Sequence, residues 1–384
     1  MKKKILVCIT ARPSYSRIRT AILALKRNKN VEVVVLASGS ALLDRYGRVV
    51  DLIREDGIEV IEELYTFVEG NDPIGMALTT ASTIEATSRS IMRILPDLIV
   101  TIADRYETLG TAVAASYCGF PLAHIQGGEI TGNIDERVRH AVTKLSDIHL
   151  VANSDCEKRI IRMGEDSKNI FITGCPSLDI VHEANSLKTK EVVEALNLKG
   201  VGSDVDIMKP FIIVMQHPET ENFEESFERM MITLKSVDNL NIPSLIFWPN
   251  VDAGSDATSK AIRVMREKGF LKDSRFIKNL ESRIFLNLLS LSKCIIGNSS
   301  VGIRECSFMG VPTVNIGDRQ RGRMCAENVL HTKWDSDEID NAIQFQIDHG
   351  KYDISNVYGD GHSGEKIAKI LSKNFEISGK RFID

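Results

Sequence analysis

The first half of the chain alternates short apolar runs rich in valine and isoleucine with longer amphipathic stretches of helical length. This alternation is typical of βαβ units, whose parallel strands are buried on both faces and so carry few polar positions. The pattern predicts strands at 4–10, 31–36, 97–102, 122–126, 149–152 and 169–173. It predicts helices near 16–27, 74–94, 106–117, 136–145 and 156–163.

The alternation lapses into a polar, lysine-rich stretch after Asp179 and restarts after Lys209. Further strands are predicted at 211–215, 245–248, 275–278, 294–296 and 313–316, and helices near 224–236, 256–268, 283–290, 302–309 and 364–374. We therefore expect an α/β protein with two Rossmann-like, doubly wound domains at 1–182 and 210–360 that face a central cleft. A boundary region at 183–209 with a short helix joins them, and residues 361–384 form a final helical segment.

Length and composition agree with a two-domain globular enzyme. The 384 residues exceed the size at which one core usually keeps growing. The chain is 43% hydrophobic and 26% charged, and its net charge of −4 argues against nucleic acid or anionic lipid as the main partner. No apolar run approaches the roughly 18 residues of a membrane helix, and the run after the first lysines is too short for a signal peptide. We expect a cytoplasmic protein.

The seven cysteines are scattered and contain no C-x-x-C pair. This spacing favours reduced thiols in apolar surroundings over a disulfide framework or a zinc site. With no metal-ligand cluster in the sequence, we expect neither a metal nor another cofactor.

The segment CIIGNSSVGIRE, residues 294–305, runs from a predicted strand through Gly-Asn-Ser-Ser into a helix start. Backbone N–H groups and two hydroxyls would face an anion there, aided by the helix dipole. The structural alternative is a plain loop with a serine N-cap. Glu305 does not stand three residues after either serine, so it is not a capping-box partner and could instead hold ribose hydroxyls.

A dinucleotide site and a P-loop are both excluded, because neither G-x-G-x-x-G after an early strand nor G-x-x-x-x-G-K-[ST] occurs. A sugar nucleotide fits better, and its diphosphate also needs arginines. Arg12 in the exit loop of the first strand, and Arg319, Arg321 and Arg323 in the segment GDRQRGR, are placed to supply them.

A second dense region runs from Asp104 to His140. Three carboxylates, two arginines and a histidine gather at adjoining predicted strand ends, where carboxylates can perform general acid–base chemistry; they are Asp104, Glu129, Asp135, Arg105, Arg139 and His124. The structural alternatives are an N-cap role for Asp135, a surface pair of Glu136 with His140, and a satisfied core position for His124. In the second domain, His217 and Asn250 follow strands directly.

Taken in order, these motifs resemble those of the hydrolysing UDP-N-acetylglucosamine 2-epimerases over nearly the whole chain. The matching segments are ADRYETL (103–109), HIQGGEITGNIDERVRHAVTKLSDIHL (124–150), GCPSLD (174–179), QHPET (216–220), WPNVDAGS (248–255), GNSSVGIRE (297–305), NIGDRQRGR (315–323) and YGDG (358–361).

The resemblance implies a GT-B-like fold in which the C-terminal domain holds most of the UDP and the C-terminal helix crosses back to the N-terminal domain. The implied reaction converts UDP-GlcNAc and water to ManNAc and UDP. It proceeds by elimination of UDP to a 2-acetamidoglucal, followed by addition of water with inversion at C2. Such enzymes feed the synthesis of sialic-acid-type sugars and are commonly homodimers or homotetramers.

Site residues are carried over one by one from the matching motifs. Asp104, Glu129 and Asp135 are the implied acid/base set, Arg139 orients a carboxylate or phosphate, and His217 contacts the diphosphate or relays a proton. Which carboxylate removes the C2 proton stays open. The implied substrate and UDP contacts are Arg12, Arg105, Asn250, Asn298, Ser299, Ser300, Glu305, Arg319 and Arg323.

Two positions depart from the family pattern. The usual glycine before the Asp-Arg pair is Ala103, whose extra methyl group we expect to tighten the site. Gln126 stands where the non-hydrolysing relatives and the mammalian enzyme have glutamate. Because an amide cannot act as a base, the catalytic role should fall on the other carboxylates, Glu129 above all.

Four alternatives remain. The substrate could be another activated sugar, such as UDP-2,4-diacetamido-2,4,6-trideoxyglucose or a GDP-linked sugar of legionaminic-acid pathways. The enzyme could be a non-hydrolysing epimerase that returns UDP-ManNAc, or a GT-B glycosyltransferase, which would need an acceptor. A non-catalytic sugar-nucleotide sensor is the fourth possibility, and the full set of carboxylates argues against it.

Overall fold

The apolar runs of the first half form a parallel sheet in the computed structural model, which describes residues 2–44, 47–69, 73–131, 134–249, 254–375 and 380–383. The sheet belongs to a first unit made of Met1–Glu129, Ile134–Asp179 and Gly359–Asp384. Its strand order is β3-β2-β1-β4-β5-β6-β7, the order of a doubly wound sheet. The strands are β1 (Lys3–Ile9), β2 (Val31–Ser38), β3 (Val60–Leu64), β4 (Leu98–Ile102), β5 (Leu122–Ile125), β6 (Ile148–Val151) and β7 (Ile170–Ile172).

Helices cover both faces of this sheet, which explains why its strands are apolar throughout. Ile5 and Val7 of β1 share a buried cluster with Ile22 of the first helix. Leu6 between them points the other way, into a cluster with Ile91. The helices of the unit are α1 (Arg12–Lys26), α2 (Val49–Glu55), α3 (Pro73–Ile94), α4 (Tyr106–Tyr117), α5 (Ile134–Leu145), α6 (Ser154–Arg162) and α15 (Ser363–Leu371).

A second unit, made of Ile130–Asn133 and Ile180–Tyr358, contains the other sheet. Its order is β14-β13-β12-β9-β10-β11-β8, and the pairing is parallel except between β11 and β8. The strands are β8 (Gly200–Gly202), β9 (Ile212–Met215), β10 (Ser244–Phe247), β11 (Ser274–Ile277), β12 (Ile295–Gly297), β13 (Thr313–Ile316) and β14 (Val329–Thr332).

The second sheet is also buried on both faces. Ile213 of β9 lies in one apolar cluster, and its neighbours Ile212 and Val214 lie in another. The helices are α7 (Asp179–Ala184), α8 (Thr189–Lys199), α9 (Ser226–Asn239), α10 (Ser255–Glu267), α11 (Ser282–Leu291), α12 (Ser300–Ile303), α13 (Glu305–Met309) and α14 (Ser336–His349). The predicted α/β class with two Rossmann-like units is what the structure has.

Several elements differ from the prediction. The single helix predicted at 302–309 is two short helices, which meet at Arg304 (φ −98°, ψ −66°). The sequence pattern left α2, α14, β3, β8 and β14 unassigned. Residues 183–209 were expected to be a boundary region with a short helix, which is α8, and they also contain the edge strand β8, which was not predicted.

The C-terminal helix α15 lies in the first unit, where it packs on α1. Asp179 holds its start, because the carboxylate accepts hydrogen bonds from the backbone N–H groups of Ser363 (2.8 Å) and Gly364 (2.6 Å) and from the hydroxyl of Thr20. Burial raises the pKa of Asp179, although these backbone hydrogen bonds act in the opposite direction. Among the described helices, none combines the length and apolar character needed to cross a membrane.

Candidate functional site

The carboxyl end of β4 leads into a tightly held turn. Ala103 has a left-handed backbone (φ +65°), and its N–H donates to the carbonyl of Ile125 at 2.9 Å. Its own carbonyl accepts a hydrogen bond from Nε2 of His124 at 2.8 Å. Both bonds come from β5, so the neighbouring strand fixes the residue that precedes Asp104.

Arg139 on α5 joins two of the predicted carboxylate residues. It is 2% exposed, and its guanidinium forms an ion pair with Asp104. Its Nη1 also donates to the backbone carbonyl of Glu129 at 2.9 Å, and Glu129 is itself 3% exposed. The structure thus brings the predicted residues Asp104 and Glu129 together at the buried guanidinium of Arg139.

The third carboxylate, Asp135, lies half-buried in the first turn of α5, four residues before Arg139. It is the second residue of the helix, so the N-cap alternative is wrong. Glu136 and His140 form the expected (i, i+4) pair, with 3.7 Å between Oε1 and Nε2. Burial lowers the pKa of His140, and Glu136 acts in the opposite direction.

The turn after β5 is shaped by packing against α6. Gln126 adopts φ +63° and Gly128 φ +75°. A β-carbon at Gly128 would lie 2.6 Å from the carbonyl oxygen of Cys156, so this position needs glycine. Arg159, also on α6, donates to the carbonyl of Gly128. These contacts fix the backbone that carries Glu129.

Gln126 lies in a polar cluster that the sequence did not reveal. Its Nε2 donates to the sulfur of Cys175 at 2.9 Å, and its Oε1 faces Nη1 of Arg17 at 3.5 Å. Cys175 is fully buried and comes from the GCPSLD segment. In the sequence, the only sign that Cys175 belongs to this cluster is its place in a segment that matches the family pattern.

The two arginines predicted to bind substrate from the first unit occupy helix starts. Arg105 directly precedes α4, where its Nε donates to Oε2 of the fully buried Glu107 at 3.0 Å. Glu107 was missed, although it stands two residues after Arg105 in the ADRYETL motif. Arg12 is the first residue of α1 and not part of a longer exit loop, because the helix begins three residues after β1 ends.

His124 is the satisfied core histidine of the structural alternative. It is fully buried, and Nδ1 lies 3.2 Å from the hydroxyl of Thr143. Nε2–H donates to the Ala103 carbonyl, and because the lowered pKa keeps the ring neutral, Nδ1 accepts from the Thr143 hydroxyl. Burial lowers the pKa of His124 to about 3.

In the second unit, Asn298 joins the loops that follow β9 and β12. Its Oδ1 accepts from the N–H of His217 at 2.7 Å, and its Nδ2 donates to the His217 carbonyl at 2.8 Å. The preceding Gly297 has φ +133°, and a β-carbon there would overlap the carbonyl oxygen of Met215. The two loops therefore lie too close for any residue but glycine, and His217 is fixed through its backbone.

The Ser-Ser segment begins α12. Ser299 is an N-cap whose Oγ accepts from the N–H of Val301 at 3.4 Å, as in the structural alternative for this loop. Ser300 accepts a hydrogen bond from Nη2 of Arg304 at 2.8 Å. Glu305 is 6% exposed, and its Oε2 accepts no hydrogen bond from any described residue. Arg304 was missed, although it stands four residues after Ser300, one helical turn away.

The arginine-rich loop after β13 is anchored by a carboxylate. Oε1 of Glu219 accepts from the backbone N–H groups of Asp318 (3.0 Å) and Arg319 (3.2 Å). Glu219 also pairs with Arg229. Nη1 of Arg319 donates to the carbonyl of Asn298 at 3.3 Å. This loop therefore contacts the loop of residues 298–300 after β12, which we call the Ser-Ser loop.

Gln320 meets the same carbonyl as Arg319. Its Nε2 donates to the carbonyl of Asn298 at 2.9 Å. Arg323 donates from Nε to the carbonyl of Ile130 at 3.0 Å, within the second unit. Asn250, also predicted to bind substrate, lies outside the described residues.

The two sets of side chains can perform different chemistry. The first unit offers the carboxylate of Asp104, paired with the buried Arg139, and the buried Glu129 beside it, which suits proton transfer. The second offers hydroxyls, arginines and a buried carboxylate, which suit the phosphates and ribose of a nucleotide. Within the described ranges, no three histidine, cysteine or acidic side chains lie close enough to hold a metal ion.

Comparison with known proteins gives the family. The sequence pattern of the family described as UDP-N-acetylglucosamine 2-epimerase matches residues 23–372. A UDP-N-acetylglucosamine 2-epimerase of Neisseria meningitidis serogroup B is 27% identical, and the match covers 99% of this chain and 99% of that protein. The GDP/UDP-N,N'-diacetylbacillosamine 2-epimerase (hydrolyzing) of Campylobacter jejuni is 29% identical over 89% of this chain and 87% of that protein.

The fold agrees with this match. The crystal structure of UDP-GlcNAc 2-epimerase from Neisseria meningitidis bound to UDP-GlcNAc has a TM-score of 0.79 to this chain. At 18% identity, the superposition covers 97% of this chain and 100% of that one. It supports the GT-B-like class expected from the sequence. With a family match that spans most of its length, this chain belongs to the UDP-N-acetylglucosamine 2-epimerase family.

Proposed function

We propose that this protein is a hydrolysing 2-epimerase that converts UDP-GlcNAc and water to ManNAc and UDP. The observation that carries the proposal is the ion pair of Asp104 with the buried Arg139, which also holds the carbonyl of Glu129. This arrangement keeps two candidate acid/base residues around one fixed positive charge. It supports a reaction that moves protons at a sugar ring.

In the proposed reaction, a carboxylate removes the proton from C2 while the C1–O bond to UDP breaks, which leaves a 2-acetamidoglucal. Water then adds its oxygen to C1, and C2 receives a proton on the opposite face. C2–H is a weak acid, so the first step depends on positive character at C1 as UDP departs. Asp104, Glu129 and Asp135 are the proposed acid/base set, because the amide of Gln126 cannot serve as a base.

Departure of UDP requires positive charge and hydrogen-bond donors at the diphosphate. We assign this role to Ser299, Ser300, Arg319 and His217 of the second unit. The buried Oε2 of Glu305 accepts no hydrogen bond from a described residue, and a ribose hydroxyl would supply the donor that it lacks. Arg12, Arg105, Asn250, Asn298 and Arg323 complete the proposed substrate contacts. The product would supply the synthesis of sialic-acid-type sugars.

A second substrate is favoured by one of the relatives. The Campylobacter jejuni protein is as similar to this chain as the Neisseria meningitidis protein, and its name specifies N,N'-diacetylbacillosamine. The two sugars differ at C4 and C6, so the same acid/base residues would serve either of them. The reaction type is common to both candidates.

Product analysis tests the proposal directly. The purified protein is incubated with UDP-GlcNAc, or with UDP-2,4-diacetamido-2,4,6-trideoxyglucose, in D₂O, and the products are followed by proton NMR. We expect ManNAc, UDP and one deuterium at C2 from UDP-GlcNAc. Turnover of the diacetamido sugar alone would favour the second substrate. UDP-ManNAc as the product, or no turnover of either sugar, would contradict the hydrolysing assignment.

A further inference from the structure

Arg304 is a buried cation beneath the Ser-Ser loop. It is 2% exposed and stands at the junction of α12 and α13. Its Nη2 donates to Oγ of Ser300 at 2.8 Å, whereas its Nε lies 3.9 Å from Oε2 of Glu305. The contact with Ser300 is therefore a hydrogen bond, and the contact with Glu305 is only electrostatic.

The bond to Arg304 determines the direction of the Ser300 hydroxyl. A serine hydroxyl has one hydrogen and two lone pairs, and a guanidinium can only donate. Since Arg304 occupies a lone pair of Oγ, the hydroxyl hydrogen of Ser300 must point away from Arg304. A hydroxyl that accepts a charged hydrogen bond is also a stronger donor.

Neighbouring atoms keep this geometry in place. The N–H of Arg304 donates to the carbonyl of Ser300 at 3.1 Å. Gly302 between them packs on Thr313, where a β-carbon would lie 2.6 Å from Cγ2. The Oγ of Thr313 also donates to the carbonyl of Gly302 at 3.1 Å. The segment from Ser300 to Arg304 therefore has little room to rearrange.

We propose that Arg304 is a positioning residue that turns the Ser300 hydroxyl into an oriented donor for a phosphate of the substrate. The inference rests on the proposed function, because it assumes a nucleoside diphosphate at the Ser-Ser loop. Arg304 acts through Ser300 and needs no contact with the substrate. Ser299 differs from Ser300 in its donor. The Oγ of Ser299 accepts from a neutral backbone N–H at 3.4 Å, whereas the Oγ of Ser300 accepts from the charged Arg304 at 2.8 Å.

The test compares the binding of UDP with that of uridine, which lacks the phosphates, by isothermal titration calorimetry. Arg304→Gln should raise the Kd for UDP about tenfold, the size of one hydrogen bond to a charged group. The Kd for uridine should change by less than about twofold, which also shows that the variant is folded. Arg304→Lys, which keeps the charge, should recover part of the loss.

A double-mutant cycle separates positioning from a purely structural role. Ser300→Ala should weaken UDP binding about tenfold in the wild type but only about twofold in Arg304→Gln. Ser299→Ala is the matched control, and its effect should be the same in both backgrounds. The cycle can be repeated with Arg304→Lys if Arg304→Gln does not fold.

Additive effects of Arg304→Gln and Ser300→Ala, or equal losses for uridine and UDP, would overturn the inference while leaving the proposed function intact. A wild-type protein that binds UDP no better than uridine would overturn the proposed function, and the inference with it.

Discussion

Acid should destabilise the first unit in part through one buried residue, His124. The ring is fully buried in β5 and neutral, with Nε2–H bonded to the carbonyl of Ala103. Burial is the main reason that its pKa is lowered, from an ordinary value of 6.5 to about 3. Because Ala103 precedes Asp104, the same hydrogen bond also holds the turn that carries a proposed catalytic residue.

The sign and size of the effect follow from this shift. Between pH 6.5 and about 3, the unfolded chain binds a proton at His124 and the folded chain does not. The contribution to stability is therefore complete above pH 6.5 and falls by about 1.4 kcal/mol per pH unit as the pH drops toward 3. Between pH 7 and pH 4.5, His124 alone should remove about 2.5 kcal/mol from the free energy of unfolding.

The measurement is guanidinium unfolding followed by far-UV circular dichroism, for the wild type and His124→Gln, at pH 7, 5.5 and 4.5. Glutamine retains an N–H donor for the Ala103 carbonyl but does not titrate. All other titrating groups are common to both proteins and cancel in the difference. Between pH 7 and pH 4.5, we expect the free energy of unfolding to fall by about 2.5 kcal/mol more in the wild type than in His124→Gln.

A difference that stays constant with pH would refute this reasoning. It would mean that His124 binds a proton as readily in the folded protein as in the unfolded chain. Burial would then not exclude the charged form, and the neutral ring bonded to Ala103 would not describe the protein in solution.

Three further predictions concern the two candidate sites. Asp104→Asn and Glu129→Gln should each lower turnover about 10²-fold or more with little change in UDP affinity, because an amide cannot transfer the proton. Glu136→Gln is the control, and wild-type turnover in both variants would contradict the assignment. Gly297→Ala should cost at least about 3 kcal/mol in thermal unfolding, since its β-carbon would overlap the Met215 carbonyl; an unchanged transition would count against the described loop. EDTA should not reduce turnover, and strong inhibition would reveal a metal requirement.

The sequence predicted best those strands that are buried on both faces. Residues 5–9 of β1 and all of β9 are continuous apolar runs, and alternate residues point into separate cores on the two faces of each sheet. The missed strand β3, Val-Ile-Glu-Glu-Leu, lies at the edge of its sheet and is only partly buried. An edge strand needs no apolar run because one side lacks a partner strand. β14, at an edge of the second sheet, was missed for the same reason.

The strand ends in the sequence predicted where the polar side chains of the first unit gather, but not which of these side chains contact one another. Helical spacing predicted Asp135 as a neighbour of Arg139, since the two lie one turn apart. The structure shows an ion pair of Arg139 with Asp104, 35 residues away and on another element. Such a contact depends on how α5 crosses the end of β4, which no local pattern records. Arg304 is the opposite case, because its spacing from Ser300 was visible in the sequence.

The two departures from the family pattern turn out to share one backbone feature. Ala103 follows β4 and Gln126 follows β5, directly after the paired residues Ile102 and Ile125. Ala103 and Gln126 both have left-handed backbones. A side chain in this conformation costs about 1 kcal/mol or more relative to glycine. The departure at Ala103 is therefore an effect on the backbone as well as an added methyl group.

Hydrogen bonds from the neighbouring strand offset that cost at Ala103, and its methyl group is buried. At Gln126, the side chain is held by Cys175 and Arg17, so the residue has a structural role that does not require a charge. An amide suits that role, because its Nε2 donates to Cys175 and its Oε1 faces Arg17, whereas a carboxylate has no hydrogen to donate to Cys175. Glutamine at position 126 therefore still holds the turn that leads to Glu129, although it cannot act as a base. In the proposed reaction, proton transfer is assigned to Asp104, Glu129 and Asp135.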